Sequence, residues 1–525
     1  MLSFKCKVMK TRYKIFALSA AIALSATSCQ KDFLDKNPLN SVSTHVFWNS
    51  EKDVQTALAG VYSRLQQNFL GYERVYLDGL TDNAFLDPGN SNQTYFSVMA
   101  TGSISPALTG AMVNMYSSPY RAIASCNYFL DNVDKAPLSE TAKAGYKAQV
   151  RFIRALSYFD LVQAFGDVII YRNYPKTVES SKIDKSPKSE VYTFIEEDLD
   201  FAIANLPNEK YNGYAVKGSA QGIKVRVLLT QEKWAPAAQL AQQIINDDKF
   251  DLADNYAALF KTSGQASASV NREIMFSTQY LAPVNVHRTS PGAGGMDIEL
   301  GLYSLMQPYK NLADDYEMTD GKSASESPLY NPANPYANRD PRLDLTVKLP
   351  NEVWRNAAGT EWNGSYTSYT GFLTEKYVDL SRAPFTTSTA TLSDQDYIHL
   401  RYADILLMYA EAKNESLGTP DASIYDALDK VRGRTGINMP PVDRSRYNTK
   451  ELLREYIRHE RRVELALEGH RYNDLKRWKI AHIKLPTLQT PNGTPLVFEM
   501  KNYTLPIPLS ELEANPNLRP NPDYE

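Results

Sequence analysis

The chain has 525 residues, 43% hydrophobic and 22% charged, enough for one large or two ordinary domains with a real core. That composition excludes a disordered or fibrous chain. Residues 1–28 carry five basic residues and no acid, so without them 52 basic face 60 acidic residues and the net charge moves from −3 to −8. A mildly acidic chain of this kind excludes nucleic acid as the expected partner, since that partner demands a basic face.

Residues 9–29, MKTRYKIFALSAAIALSATSC, have the three parts of a secretory signal. Lys10, Arg12 and Lys14 form the basic region, Ile15 to Leu24 the apolar region, and Ala26, Thr27 and Ser28 the small residues before Cys29. The apolar run is too short to span a bilayer, which takes about 20 residues. A Cys at the first mature position resembles a bacterial lipoprotein box, so 1–28 is expected to be a lipoprotein signal peptide and Cys29 the lipidated residue. Ala26 stands where the usual box prefers Leu. Met9 is an alternative start, which would remove Cys6. With Cys29 acylated, Cys126 is the remaining thiol, expected to pack as a small apolar residue.

Past the polar tether, residues 51–69 read as a helix, with Ser50 as N-cap and Val54, Leu58, Val61 and Leu65 as its apolar stripe. Residues 71–118 are rich in Gly, Asn, Asp, Ser and aromatics with weak periodicity. An irregular stretch of that length inside a globular chain carries function or is disordered, and the aromatics favour function. A helix follows over 142–165, then another with Ser186 as N-cap and Pro187 at its first position. Residues 217–260 give two helices about a turn at Glu232–Lys233, with small residues Ala220, Ala238 and Ala241 where the helices approach. This is the size and pattern of a tetratricopeptide-type hairpin, and 402–436 is a second. Residues 262–395 are again loop-rich, with Trp354, Trp362, many Tyr and short strand-like runs, before a helical region over 396–480. The expected division is therefore 29–260, with a ligand-loop insertion near 71–118, and 261–525.

Five segments, in order, resemble the SusD/RagB family of Bacteroidetes outer-membrane nutrient-binding lipoproteins: CQKDFLDKNPLNSVSTHVFWNSEKDVQTALAGVYSRLQ, KAQVRFIRALSYFDLVQAFGDV, MQPYKNLADDYEMTDG with NRDPRLDLTV, YIHLRYADILLMYAEAKNE, and IRHERRVELALEGHRYNDLKRWK. They span nearly all of the mature chain. The resemblance implies a mostly α, SusD-like fold, with tetratricopeptide-type hairpins as scaffold and a loop-rich ligand face with short strands. It implies a lipid anchor in the outer membrane facing the cell surface, and a SusC-like TonB-dependent transporter over which the protein sits as a lid. It implies a glycan ligand and no enzyme activity. In the last segment, Glu460, Glu464, Arg471, Asp474 and Arg477 are expected to form salt bridges locking the C-terminal helix to the body.

The chemistry that would indicate catalysis or a cofactor is mostly missing. His459-Glu460 begins a metalloprotease motif, but position 463 is Val. His459 and His470 are about 16 Å apart along a helix, too far to share a metal. Gly321-Lys322-Ser323 lacks the preceding Gly of a phosphate loop, the same place fails as an EF-hand at Tyr316 and Met318, no G-x-S-x-G occurs, and the cysteines are too few for zinc. No metal and no cofactor is expected. A pair of glycosidase carboxylates is the one catalytic arrangement that sequence leaves open.

Sugars present C–H faces and hydroxyl edges, which suit Tyr and Trp rings flanked by Asp, Asn or Arg. The expected ligand contacts are Asp82, Asn83, Tyr95 and Phe96 in the first irregular region, and Tyr280, Tyr303, Trp354 and Trp362 in the second. Two other readings share the fold: a RagB-like peptide-binding lid, and a helical assembly scaffold that binds no small ligand.

Overall fold

The computed structural model describes residues 47–87, 94–287, 295–356, 358–362, 368–383, 385 and 393–525. The signal segment, Met9 and Cys29 lie outside them, as do the side chains of Tyr95 and Trp362.

Periodic apolar positions set the helices. Helix α1 (Glu51–Tyr62) is capped by Ser50, whose hydroxyl accepts the Asp53 N–H, and buries Val54, Leu58 and Val61. Each such side chain contributes about 1.5–3 kcal/mol on burial. After a short helix, α2 (Thr94–Ala100), helix α3 runs over Ala111–Leu130 straight through Pro119. The irregular stretch therefore stops at 110, because packing holds the Ser117-Ser118-Pro119 run in a helix that local propensity would end. Helix α4 (Glu140–Phe165) starts at Ser139, whose hydroxyl accepts the Ala142 N–H, and stops at Gly166, where φ is +70°.

Helix α5 (Lys188–Asn205) begins one residue later than its sequence suggests, with Pro187 as the capping residue. Ser186 is spent on a bridge to Val168, and the Asp167 carboxylate takes the Lys188 N–H instead. Helices α6 (Lys217–Thr230) and α7 (Trp234–Asp247) form the first hairpin, turning through Glu232 at φ +58°. Helices α8 (Lys310–Asp315), α9 (Tyr402–Ser416), α10 (Ala422–Arg432), α11 (Lys450–Glu464) and α12 (Arg471–Arg477) complete the longer helical elements used below. Packing runs from α1 to α3, α4, α5, α6 and α7, then across to α9, which carries α10 and α11. Cys126 is a free thiol in the core, as its apolar setting suggests.

The strands are short: β1 (Ala84–Leu86), β2 (Ile274–Thr278), β3 (Met306–Pro308), β4 (Val347–Lys348), β5 (Trp354–Arg355), β6 (Glu361–Trp362), β7 (Leu373–Thr374) and β8 (Tyr397–Arg401). They pair antiparallel as β1–β3, β2–β8, β4–β7 and β5–β6. The β1–β3 pair ties the first irregular region to the second, and β2–β8 ties the second to the C-terminal helices.

The C-terminal helix is locked in by buried ion pairs. Glu464 receives Arg342 (2.9 Å), Arg401 (2.6 Å) and Arg434 (3.2 Å). Glu460 is shared by Arg342 (2.6 Å) and Arg432 (2.8 Å), and Glu468 by Arg401 (2.7 Å) and Lys376 (2.9 Å). Arg461 bridges Asp404 and Asp474, and Arg477 reaches Asp474 and Glu411. Burial alone would raise the Glu464 carboxyl; the guanidiniums of Arg434, Arg401 and Arg342 outweigh it and hold it well below the usual carboxylate range.

Removing one partner from such a cluster leaves uncompensated buried charge. Glu464→Gln is expected to lower stability by about 3–5 kcal/mol in urea unfolding, while a loss under about 1 kcal/mol would show that the cluster is not needed. Acid should act on the same groups. Glu464, Glu468, Asp404 and Asp82 are all held low, so their contribution is present above the unfolded carboxylate range and lost as pH falls below it. Asp78 opposes them, because burial pushes it up to about 6 and it favours folding as pH falls through that value. Asp396 is likewise pushed up to about 6 by burial, but carboxyls held low, Glu460, Asp315 and Asp474 among them, outnumber those pushed up, so the urea midpoint should drop below about pH 4.3; a midpoint unchanged down to about pH 3 would contradict this.

Candidate functional site

Helix α3 places Ser117, Arg121, Ala124 and Tyr128 along one face, at spacings of four, three and four residues. This face is the floor of a trough made of three adjacent recesses of about 500, 620 and 340 Å³ that share lining residues. Arg121 borders all three and Arg64 two of them. Arg121 donates to the Ser117 hydroxyl (2.8 Å) and Arg64 to the Ser125 hydroxyl (2.9 Å), which orients both guanidiniums along the helix.

One wall is the segment 169–175. The Tyr120 hydroxyl accepts the Ile169 N–H (2.9 Å) and donates to its carbonyl (3.1 Å), and Asn127 donates to the Tyr171 carbonyl (2.7 Å). The Tyr174 N–H donates to Asp131 (3.0 Å). These bonds hold the Tyr174 ring edge-on to Tyr128 at 5.6 Å, with the two rings 45% and 37% exposed. Exposed tyrosines fixed in this way are rigid platforms with a polar tip.

At the other end the two irregular regions meet. Tyr72 stacks on His287 at 4.3 Å and 12°, and Tyr280 meets the same imidazole edge-on at 4.4 Å. The Tyr72 N–H donates to the Tyr280 hydroxyl (3.2 Å), and Gln66 donates to the Gln279 carbonyl (2.7 Å). His287 Nε2 lies 2.7 Å from the Gln395 carbonyl, and Nδ1 accepts the Met296 N–H at 3.2 Å. A ring that accepts at Nδ1 and donates at Nε2 is the neutral tautomer, held in one orientation. Gln67 and Glu73 border this recess beside Tyr72 and His287.

The residues singled out from sequence fall in different places. Tyr280 backs the aromatic stack at the end of the trough but is only 7% exposed. Tyr303 is half-buried beyond the wound turn Asp297–Leu302. Asp82 and Asn83 face inward: both Asp82 carboxylate oxygens accept from Arg471 (2.8 Å each), while Asn83 donates to Asp78 (2.6 Å) and accepts from Arg462 (2.9 Å). They serve the ion-pair network. Phe96 is buried in the core against Tyr76. Trp354 is buried too, its ring N–H donating to Glu375 and its face covered by the Lys348 ammonium at 5.4 Å. Trp362 stands opposite Trp354 in the β5–β6 pair, and Tyr95 lies in α2; their side chains are outside the described residues. The trough residues that sequence missed are Arg64, Arg121, Tyr128 and Tyr174. A helical stripe was present for three members of the α3 face, but the segment was divided at 118.

Among the described residues, no cluster of three or more His, Cys, Asp or Glu could hold a metal ion, and no helix is long and apolar enough to cross a membrane.

Comparison with known proteins agrees with this architecture. A profile of the SusD family matches residues 258–524, and a second, described as starch-binding associating with outer membrane, matches residues 32–224. The chain is 28% identical over 525 residues to SusD-like protein P25 of Formosa agariphila, covering 95% of this chain and 96% of that one. It is 26% identical over 161 residues to the starch-binding protein SusD of Bacteroides thetaiotaomicron, covering 29% of this chain and 28% of that one. The crystal structure of a SusD-like carbohydrate binding protein from Bacteroides fragilis superposes with a TM-score of 0.77 at 28% identity, over 90% of this chain and all of that one. With one profile spanning half the chain and the mostly helical fold shared, the protein belongs to the SusD family.

Proposed function

We propose that this protein is a lipid-anchored, surface-facing outer-membrane component that binds nutrient glycan in the α3 trough and delivers it to a SusC-like TonB-dependent transporter. The observation that carries the reading is the trough itself: tyrosine rings and the guanidiniums of Arg64 and Arg121 line three adjacent recesses beside α3. Rings take the C–H faces of sugars, and Arg64, Arg121 and Gln67 take the hydroxyl edges. The carbohydrate-binding relatives at similar identity support a glycan over other ligands. The Cys29 box and the outer-membrane description of the matched profile support the location. The trough works by shape and many weak contacts, so binding is reversible, as handing on a cargo requires.

Affinity electrophoresis of residues 30–525 against a panel of polysaccharides tests the reading. Retardation by at least one is expected. Tyr128→Ala and Tyr174→Ala should each weaken binding by about tenfold, the scale of losing one aromatic contact, with the circular dichroism spectrum unchanged. If both variants bind as the parent does, the ligand lies elsewhere; if nothing in a broad panel is retarded, the glycan reading fails.

A further inference from the structure

A second recess, of about 380 Å³, lies on the scaffold and shares no lining residue with the trough. It is an open recess bordered by Gln163 near the end of α4, the start of α5, the turn after α6, helix α12 with the residues just after it, and the segment 500–504. Its charge is lopsided. Lys479 is neutralised by Glu232 (2.6 Å), and Arg477 is held by Glu411 and Asp474 (2.9 Å). Lys476 has no such partner. It is 8% exposed, yet its ammonium makes one hydrogen bond, to the Gln163 carbonyl (2.8 Å), with the Tyr472 ring 5.1 Å away. An ammonium has three donors, so two are left over at a buried position facing the recess. At the rim stands exposed Lys188, its ammonium 5.8 Å from the Tyr192 ring. The carboxylate near it, Asp167, accepts its backbone N–H. Tyr192 lines the same recess, and its buried hydroxyl finds no hydrogen-bond partner.

A buried cation with unused donors is costly unless something anionic completes it. We propose that this recess is a binding site for a tetrahedral oxyanion, a sulfate or phosphate group, held by Lys476 and Lys188. Such a group accepts from several donors at once and needs no carboxylate in the pocket. Burial, reinforced by Lys188 nearby, pushes the Lys476 ammonium down to about 7. The other charged or titratable groups facing the recess are Tyr192, Glu232, Arg477, Lys479, His482 and Tyr503, of which Glu232 and Lys479 pair with one another and His482 with the Tyr503 hydroxyl. Anion binding therefore favours the protonated lysine, takes up a proton, and weakens as pH rises through that value.

The test is calorimetric titration of residues 30–525 with sodium sulfate at constant ionic strength made up with chloride. Sulfate keeps its charge across this range, so any pH dependence belongs to the protein. Saturable binding is expected, tighter a unit below pH 7 than a unit above it, with proton uptake seen as a heat that depends on the buffer. Lys476→Met should lose about tenfold or more in affinity together with the pH dependence, and Lys188→Met should lose affinity but keep it. Lys188 is on the exposed rim, so that variant serves if Lys476→Met does not fold. Inorganic phosphate and glucose 6-sulfate, titrated in the same way, separate a free oxyanion from an ester on a larger solute. The tighter of these names the source. No saturable binding of any of the three, or binding unaffected by both substitutions, overturns the proposal. Because the two sites share no residue, a negative result here leaves glycan binding in the trough untouched, and the reverse.

Discussion

The Glu464 carboxylate, gripped by three arginines in a fully buried setting, is the interaction on which the rest of the structure depends. Those arginines come from three distant places: Arg342 from within the loop-rich region 262–395, Arg401 from β8, and Arg434 after α10. Arg401 and Arg434 also meet Glu273 at the head of β2, so the strand pair and the C-terminal helix are fixed by one cluster. Gly469 extends the lock to the first irregular region. Its N–H donates to Asp78 (2.5 Å), its φ is +81°, and a Cβ there would lie 2.4 Å from the Arg74 carbonyl oxygen. Only glycine fits that approach. Arg471, two residues on, then takes Asp82.

The consequence is a division of labour. The segment 72–83, wound into a 3-10 helix over Tyr72–Leu80, is pinned from behind by buried charges. Tyr72 can therefore present one face to His287 and the end of the trough while its hydroxyl is tied to Glu299 (3.2 Å). Strong, desolvated pairs hold the frame; weak, exposed rings face the solvent. Holding the rings in place before a ligand arrives lowers the ordering cost of binding without making any single contact strong.

Much of this was legible in the sequence. Apolar periodicity gave both hairpins, including the turn at Glu232, and the alternating acids and bases of the 459–477 run pointed to a salt-bridge web. The surroundings of the candidate site residues were harder to read. Asp82 and Asn83 sit among Gly, Asn and Ser, a composition that marks exposed loops, but their partners Arg462 and Arg471 lie nearly 400 residues away and leave no local trace. Trp354 sits in a loop-rich stretch, and its burial is decided by Glu375 and Lys348 across a strand pair. The trough is a product of tertiary assembly: α3 supplies a floor, and the wall 169–175 exists because Tyr120 and Asn127 bind its backbone at Ile169 and Tyr171. Only the stripe Arg121, Ala124 and Tyr128 carried a local signal.

On the function proposed, a charge-locked frame presents a preformed glycan trough along α3. Hydrogen exchange of residues 30–525, with and without the polysaccharide that retards the protein, tests it most directly. Slow exchange in α11 and β8 is expected in both states, with ligand protection concentrated in 64–73, 117–128 and 169–175. Protection centred instead on the β5–β6 hairpin, or fast exchange through α11 without ligand, would contradict it.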